Sequence, residues 1–293
     1  MNLVVASIKL MRPTQWIKNA FVFMPVIFGA RLLHLEDVLR VLEMFVAFCM
    51  TASATYVLND YIDRDRDRLH PLKKHRPLAS GAINSTLAFA LTAVLIAIAL
   101  VMAAVSHSPA LGYAVLAGYV ALQMAYSLWL KDMVILDVLS IASGFLLRVL
   151  AGAVVVDLTV SSWLVLCTFS VAIFLALGKR RHEVVILSEN ASNHRPVLEN
   201  YNVALLDQLV QVATTSTFIF YCLYSVRGNP ATGLQAERMM FTIPLVTYGL
   251  FRYLYLIYHK EEGGSPTVLL LTDPPLLICS ILWLTACVAV LYL

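Results

Sequence analysis

The sequence predicts an all-α protein that crosses a membrane many times, and three observations predict it. Of 293 residues, 60% are hydrophobic and 13% charged, whereas about a quarter of residues are charged in soluble domains. Nine apolar stretches approach the ~20 residues that a helix needs to span hydrocarbon. Two of the connections, 59–82 and 179–203, are too long and polar to be tight turns. The net charge of +3 is too small to point to nucleic acid, so no such partner is expected. The five cysteines, at 49, 167, 222, 279 and 287, lie inside apolar runs with no C-x-x-C pair, and read as small core residues. Lys9 and Arg12 follow a short apolar start. That order inverts a secretory signal, so the N-terminal segment is expected to be retained.

The expected spans are 14–33, 38–58, 83–106, 109–130, 133–155, 160–178, 204–226, 239–258 and 274–293. The first opens with Trp16 and Lys18, which suit an interface. The second runs directly into a charged stretch from Asn59 to Arg68, and the third resumes the apolar pattern beyond it. Ser108-Pro109 opens the fourth with a cap residue and a first-turn proline. In the fifth, Gly144 and Gly152 among Ala142, Ser143 and Ala151 suggest close helix packing. The sixth ends on Lys179-Arg180-Arg181-His182-Glu183, and the seventh follows the second long connection. Tyr248, Tyr253, Tyr255 and Tyr258 crowd the end of the eighth, as an interfacial belt or as a stacking surface for substrate. Thr272-Asp273-Pro274 is a cap followed by proline, which starts the ninth. No repeat or low-complexity tract interrupts the chain, so 1–293 is expected to form one domain.

Basic residues orient the spans. The N-terminus and the connections after even-numbered spans hold Lys9, Arg12, Lys18, Arg64, Arg66, Arg68, Lys73, Lys74, Arg76, Lys131, Lys179, Arg180, Arg181, Arg195 and Lys260, against Arg31, Arg40, Arg227 and Arg238 opposite. By the positive-inside rule the N-terminus and both long connections are cytoplasmic, and the C-terminus is outside. Arg148 and Arg252 fall within spans, where an ionisable residue is either functional or paired in the bundle. Asp137 is likewise inside a span, and a lone carboxylate there costs a few kcal/mol unless paired.

The chemistry is expected to start at Asn59-Asp60-Tyr61-Ile62-Asp63-Arg64-Asp65-Arg66-Asp67-Arg68. If the second helix continues through it, Asn59, Asp63 and Asp67 lie at i, i+4 and i+8 on one face, with Asp60 beside them. Such a rack of hard oxygen ligands suits Mg²⁺. The interleaved arginines and Asp65 point mostly elsewhere. A solvated loop of mixed charge is the plain alternative. Each long connection also carries a basic cluster, Lys73, Lys74 and Arg76 in one and Lys179, Arg180 and Arg181 in the other. Mg²⁺ ringed by Arg and Lys suits a diphosphate ligand, although positive-inside bias alone accounts for any single lysine. Lys179 and Glu183 stand at i, i+4, as a further ligand or a helix-end ion pair. Histidines 70, 75, 182 and 194 fit no zinc spacing and read as surface or phosphate-adjacent. Lys18 and Asn19 lie at the mouth of the first span, as anchors or substrate contacts.

These residues resemble a known family. Asn59-x-x-x-Asp63-x-x-x-Asp67 at the end of the second of nine spans is similar to the first Asp-rich motif of the UbiA superfamily of intramembrane prenyltransferases. The resemblance covers essentially the whole chain. Arg12-Pro13-x-Gln15-Trp16-x-Lys18-Asn19, His70-Pro71-x-Lys73-x-x-Arg76-Pro77 and Gly178-Lys179-Arg180-x-x-Glu183 look most like its decaprenyl-phosphate phosphoribosyltransferase branch. The stretch from Tyr126-Ser127 to Ala151-Gly152, Phe251-Arg252-Tyr253 and Glu262-Gly263-Gly264-Ser265-Pro266 do so too.

The resemblance implies a nine-helix UbiA-like bundle in the inner (plasma) membrane. It also implies an Mg²⁺-dependent transfer of 5-phosphoribose from phosphoribosyl diphosphate (PRPP) to a polyprenyl phosphate, releasing pyrophosphate and serving cell-wall biosynthesis. Asn59, Asp60, Asp63 and Asp67 would then face the metal. Lys18, Asn19, Lys73, Arg76, Arg148, Lys179, Arg180 and Glu183 would face the substrates, with Asp63, Asp67, Lys179 and Arg180 carrying catalysis. A homo-oligomer stays open.

Two departures stand out. Most of the superfamily has a second D-x-x-x-D where this chain has Lys179-x-x-x-Glu183, a basic motif typical of the phosphoribosyl branch. Arg181 stands where that branch commonly has Tyr. Two other functions remain. A prenyltransferase acting from a prenyl diphosphate would want the second acidic pair, and a transporter would want ionisable residues along a midplane path.

Overall fold

A computed structural model describes residues 3–69, 73–104, 108–187, 196–227, 236–260 and 263–293. Among these residues every regular element is helical. The α-helices are α1 (Leu3–Met11), α2 (Met24–Phe28), α3 (Leu35–Ile62), α4 (Arg64–Leu69), α5 (Ser85–Ala104) and α6 (Pro109–Leu128). They continue as α7 (Leu136–Val154), α8 (Ser162–Leu187), α9 (Val203–Arg227), α10 (Ile243–Tyr258), α11 (Pro266–Thr272) and α12 (Pro274–Tyr292).

Among the described residues, eight helices are long and apolar enough to cross a membrane, matching eight of the nine expected spans. The first expected span is built differently. Residues Pro13–Phe23 form a 3-10 helix that passes into the short α2. Pro25 contributes to the change, having no N–H to donate into the preceding turn, while Pro13 opens the segment at its first helical position. A second difference concerns the connection expected over 179–203. Helix α8 continues to Leu187, so Lys179 through Glu183 are helical.

The chain packs as two compact units. The first comprises Met1–Val26, His34–Leu130 and Leu147–Thr159. Its axis is α3, which packs on α5 and the 3-10 helix. Buried Ala47, Ala52, Ser53 and Ala54 keep the α3 surface low enough for close neighbours. Ala6 and Leu10 of α1 join Val57, Leu78, Ile83 and Ala88 in one apolar cluster. Gly152, expected at a close contact, has one: any Cβ would strike the Val22 carbonyl.

The second unit comprises Ile27–Leu33, Lys131–Leu146 and Val160–Leu293. Helices α8 and α9 pack together around Phe174, Leu177, Leu206 and Val210, with Leu250, Leu256 and Ile257 from α10. Tyr248, Tyr255 and Tyr258 are exposed as a belt requires, but Tyr253 is buried against Phe174, ring centroids 5.1 Å apart. The Asp273 side chain caps α12, accepting from the Leu276 N–H at 2.9 Å.

Candidate functional site

In the first unit, α3 stops at Ile62, Asp63 takes φ −85° and ψ 0°, and α4 begins at Arg64. The four-residue register survives this break. The Asp63 N–H donates to the Asn59 carbonyl at 2.9 Å, and the Asp67 N–H to the Asp63 carbonyl at 2.8 Å. Asn59 Nδ2 donates to Asp63 Oδ2 at 3.3 Å, while Asn59 Oδ1 accepts from Ser127 Oγ at 2.7 Å. Asp65 lies on another side. It is exposed, paired with Arg64 at 3.4 Å and Arg68 at 3.1 Å.

Two arginines close on the buried carboxylates. Asp60 Oδ1 accepts from Arg12 Nη2 at 2.5 Å and from Arg76 Nη1 at 3.1 Å. The same Arg76 Nη1 donates to Asp67 Oδ2 at 2.6 Å. Arg12 reaches inward from a left-handed backbone, φ 53°, with its guanidinium 5.1 Å from the Tyr56 ring centroid. Lys73 is half-buried, whereas Lys74 and His75 are exposed. His70, Pro71, His194, Arg195 and Glu262 lie outside the described residues.

Mg²⁺ usually takes one or two carboxylates and completes its shell with water and phosphate oxygens. The Asn59, Asp63 and Asp67 oxygens fit that demand, being hard donors in helical register on one short stretch. Among the described residues no three His, Cys, Asp or Glu side chains converge to enclose a metal by themselves.

The second unit holds a separate polar chain. Arg180 Nε donates to Asp137 Oδ2 at 2.5 Å, and Arg180 Nη1 to Glu183. Asp137 Oδ1 accepts from the Tyr201 hydroxyl at 2.9 Å, which itself accepts from the Ile135 N–H at 2.7 Å. Burial pushes the Tyr201 hydroxyl up to about 12, so it stays protonated and donates at any working pH. Ile135 has φ 68°, an outlier for a β-branched residue, and its backbone is held at both sides by this chain and by the first turn of α7. Lys179 Nζ lies 3.8 Å from Glu183 Oε1, so that carboxylate serves both basic residues. Arg181 turns away. It donates to Asp207 Oδ1 at 2.6 Å and to the Ile257 carbonyl at 3.1 Å, and stacks 4.0 Å from the Tyr258 ring centroid. His182 Nδ1 accepts from the Gly263 N–H at 3.0 Å, and a Cβ at Gly263 would come within 2.5 Å of His182 Cβ.

Three residues expected to face the substrates have internal partners. Asn19 and Arg148 are buried and bound to each other, Arg148 Nε to Asn19 Oδ1 at 2.7 Å, with Arg148 Nη2 donating to the Tyr119 hydroxyl at 3.0 Å. Arg180 is 1% exposed and committed to two carboxylates. Each of the two arginines, a charge within an apolar bundle, takes fixed internal partners, because leaving it unpaired costs more than ordering them. Lys18 is half-buried. Arg252, the other basic residue within a span, pairs with Asp273 at 2.7 Å.

Sequence reasoning missed Tyr201, Asp207, the contact of Ser127 with Asn59 and the inward role of Arg12. Asp137 signalled that some partner existed. Nothing in the run Lys179-Arg180-Arg181 told which of the three was that partner, since that depends on the rotational setting of α8.

Residues 22–272 match the UbiA prenyltransferase family. The decaprenyl-phosphate phosphoribosyltransferase of Corynebacterium glutamicum is 29% identical over 299 residues, covering 100% of this chain and 88% of that protein. Its counterpart in Mycolicibacterium smegmatis is 31% identical over 302 residues, covering 99% and 94%. A UbiA homolog from Archaeoglobus fulgidus, solved bound to DMAPP and Mg²⁺, shares the fold with a TM-score of 0.73 at 19% identity, covering 97% of this chain and 98% of that one. The chain thus belongs to the UbiA prenyltransferase family, as a multi-pass membrane transferase.

Proposed function

We propose that the chain transfers the 5-phosphoribosyl group of PRPP to a polyprenyl phosphate at the cytoplasmic face of the inner membrane. The bond from the sugar's anomeric carbon to the diphosphate breaks, a bond to the acceptor's phosphate oxygen forms, and pyrophosphate leaves. The observation that carries this reading is end-to-end similarity to two proteins named decaprenyl-phosphate phosphoribosyltransferase.

A phosphate monoester is already largely anionic near neutral pH, with a second pKa of about 6. The chain therefore needs no general base to activate it. Its task is the leaving group. Asn59, Asp63 and Asp67 would hold Mg²⁺, which when bound neutralises the departing pyrophosphate. Arg76 and Lys73 add positive charge in the same stretch. Lys179, 41% exposed at its side chain, is open to a phosphate from solvent. Arg180 is assigned a supporting role: it fixes Glu183, and Glu183 in turn orients Lys179.

A second reading, prenyl transfer from a prenyl diphosphate, is favoured by the fold shared with the DMAPP-bound homolog. It would want a second acidic pair, and here that place holds Lys179 with a Glu183 already shared by two cations. Purified protein should release pyrophosphate from PRPP only when polyprenyl phosphate is present. Consumption of a prenyl diphosphate with an aromatic acceptor, and no use of PRPP, would establish the second reading instead.

A further inference from the structure

One nitrogen, Arg76 Nη1, donates to two carboxylates at once, to Asp60 Oδ1 at 3.1 Å and Asp67 Oδ2 at 2.6 Å. Both side chains are almost wholly buried, at 2% and 5% exposure. A cation held between two acids seven residues apart supplies charge that a divalent metal on such a rack would also supply. Arg76 thus satisfies electrostatically what a metal on Asp67 would satisfy. Among the described residues Arg12 pairs with Asp60, so Asp60 keeps a counter-ion when Arg76 lets go. Asp67 does not share that second arginine, and its oxygen is the one held more tightly by Arg76.

We propose that Arg76 is a resident counter-ion exchanged during loading: it neutralises Asp60 and Asp67 before metal arrives, and the metal–diphosphate complex displaces it. The released guanidinium then meets the diphosphate, whose oxygens suit its planar fork. Metal alone must expel a bound cation with nothing to receive it, whereas metal with diphosphate supplies a new anionic partner. Metal and diphosphate therefore bind with positive coupling, and Arg76 is the residue that couples them. The side chain is 27% exposed, so it has a way out of the cluster. This inference rests on the metal role given above to Asp63 and Asp67.

Mn²⁺ retained by the full-length protein in detergent, measured by equilibrium dialysis with and without inorganic pyrophosphate and corrected with a protein-free control for the soluble Mn²⁺–pyrophosphate complex, tests it. Wild type should bind Mn²⁺ weakly alone and about tenfold more tightly with pyrophosphate, within the usual range of coupling between sites. Arg76→Met should bind Mn²⁺ alone about tenfold more tightly than wild type and lose most of the pyrophosphate effect. Arg76→Lys keeps a charge without the fork, so it should fall between the two, and it carries the test if the methionine variant does not fold. A folded variant with wild-type Mn²⁺ affinity and an undiminished pyrophosphate effect would overturn the exchange while leaving the metal site standing. Wild type that binds no Mn²⁺ under either condition would remove the metal role itself, and the exchange with it.

Discussion

Arg180 Nε meets Asp137 Oδ2 at 2.5 Å across 43 residues of sequence, with both side chains essentially sealed from solvent at 1% and 0% exposure. The pair explains how a carboxylate is tolerated at the start of a membrane helix. It also ties α7 to α8, and through Tyr201 to the segment that enters α9. Breaking a buried pair on one side typically costs about 3–5 kcal/mol, because the remaining charge is stranded. Arg180→Ala should therefore lower thermal stability sharply, and Asp137→Asn should do so less, since the amide still accepts from Tyr201. The double variant Asp137→Leu/Arg180→Met should recover much of the loss. Melting curves in detergent check this, and equal losses for the single and double variants would refute it.

Tyr201→Phe removes the hydroxyl that donates to Asp137 and accepts from Ile135. Leaving the buried Asp137 carboxylate without that donor costs about 1–3 kcal/mol. The same melting assay should show a loss smaller than that of Arg180→Ala.

Turnover should separate the acidic residues by face. Asp63→Asn or Asp67→Asn removes a charged ligand of the proposed metal, and should reduce turnover on the order of a hundredfold or more. Asp65 pairs only at the exposed surface, where ion pairs contribute little. Asp65→Asn should stay within about twofold of wild type. Metal-dependent initial rates decide it, and Asp65→Asn emerging as the worst of the three would show the register argument to be wrong.

Lys179→Ala should weaken use of PRPP while leaving the affinity for polyprenyl phosphate nearly unchanged. Removing the donor's 5-phosphate should hurt wild type far more than this variant, because a contact already lost cannot be lost twice. Steady-state KM values for both donors with both proteins complete the cycle. Additive effects would take Lys179 off the 5-phosphate.

The acid limb of stability should depend on Asp273. The Arg252 guanidinium bonded to Asp273 holds its carboxyl below the ordinary carboxylate value. A group whose folded pKa is depressed binds its proton more readily when unfolded. Its stabilising contribution is therefore present above the ordinary value of about 3.9 and disappears as pH falls through the lower folded value. Asp273→Asn should lower the melting temperature at neutral pH and flatten its decline as pH falls below about 4. An unchanged acid limb would show that the pair does not contribute.

Membrane class, eight of the spans and the Asn59, Asp63, Asp67 register were legible in the sequence, because hydrophobic run length and i, i+4 spacing are properties of a local segment. Asp273 as a cap and Gly152 as a close contact were legible for the same reason, each being set by its immediate neighbours. The prolines at 13 and 25 were already visible where the first span breaks into a 3-10 helix, yet they were outweighed by the apolar length of 14–33.

Pairing of buried polar groups between separate segments was not local, and tertiary structure alone decided it. Asp137 chose Arg180 over Lys179 and Arg181, Arg76 bridged Asp60 and Asp67, and Arg148 turned to Asn19 at a separation of 129 residues. In an apolar bundle each buried charge must find a partner, but helix rotation and packing, set by many weak contacts at once, determine which partner is in reach.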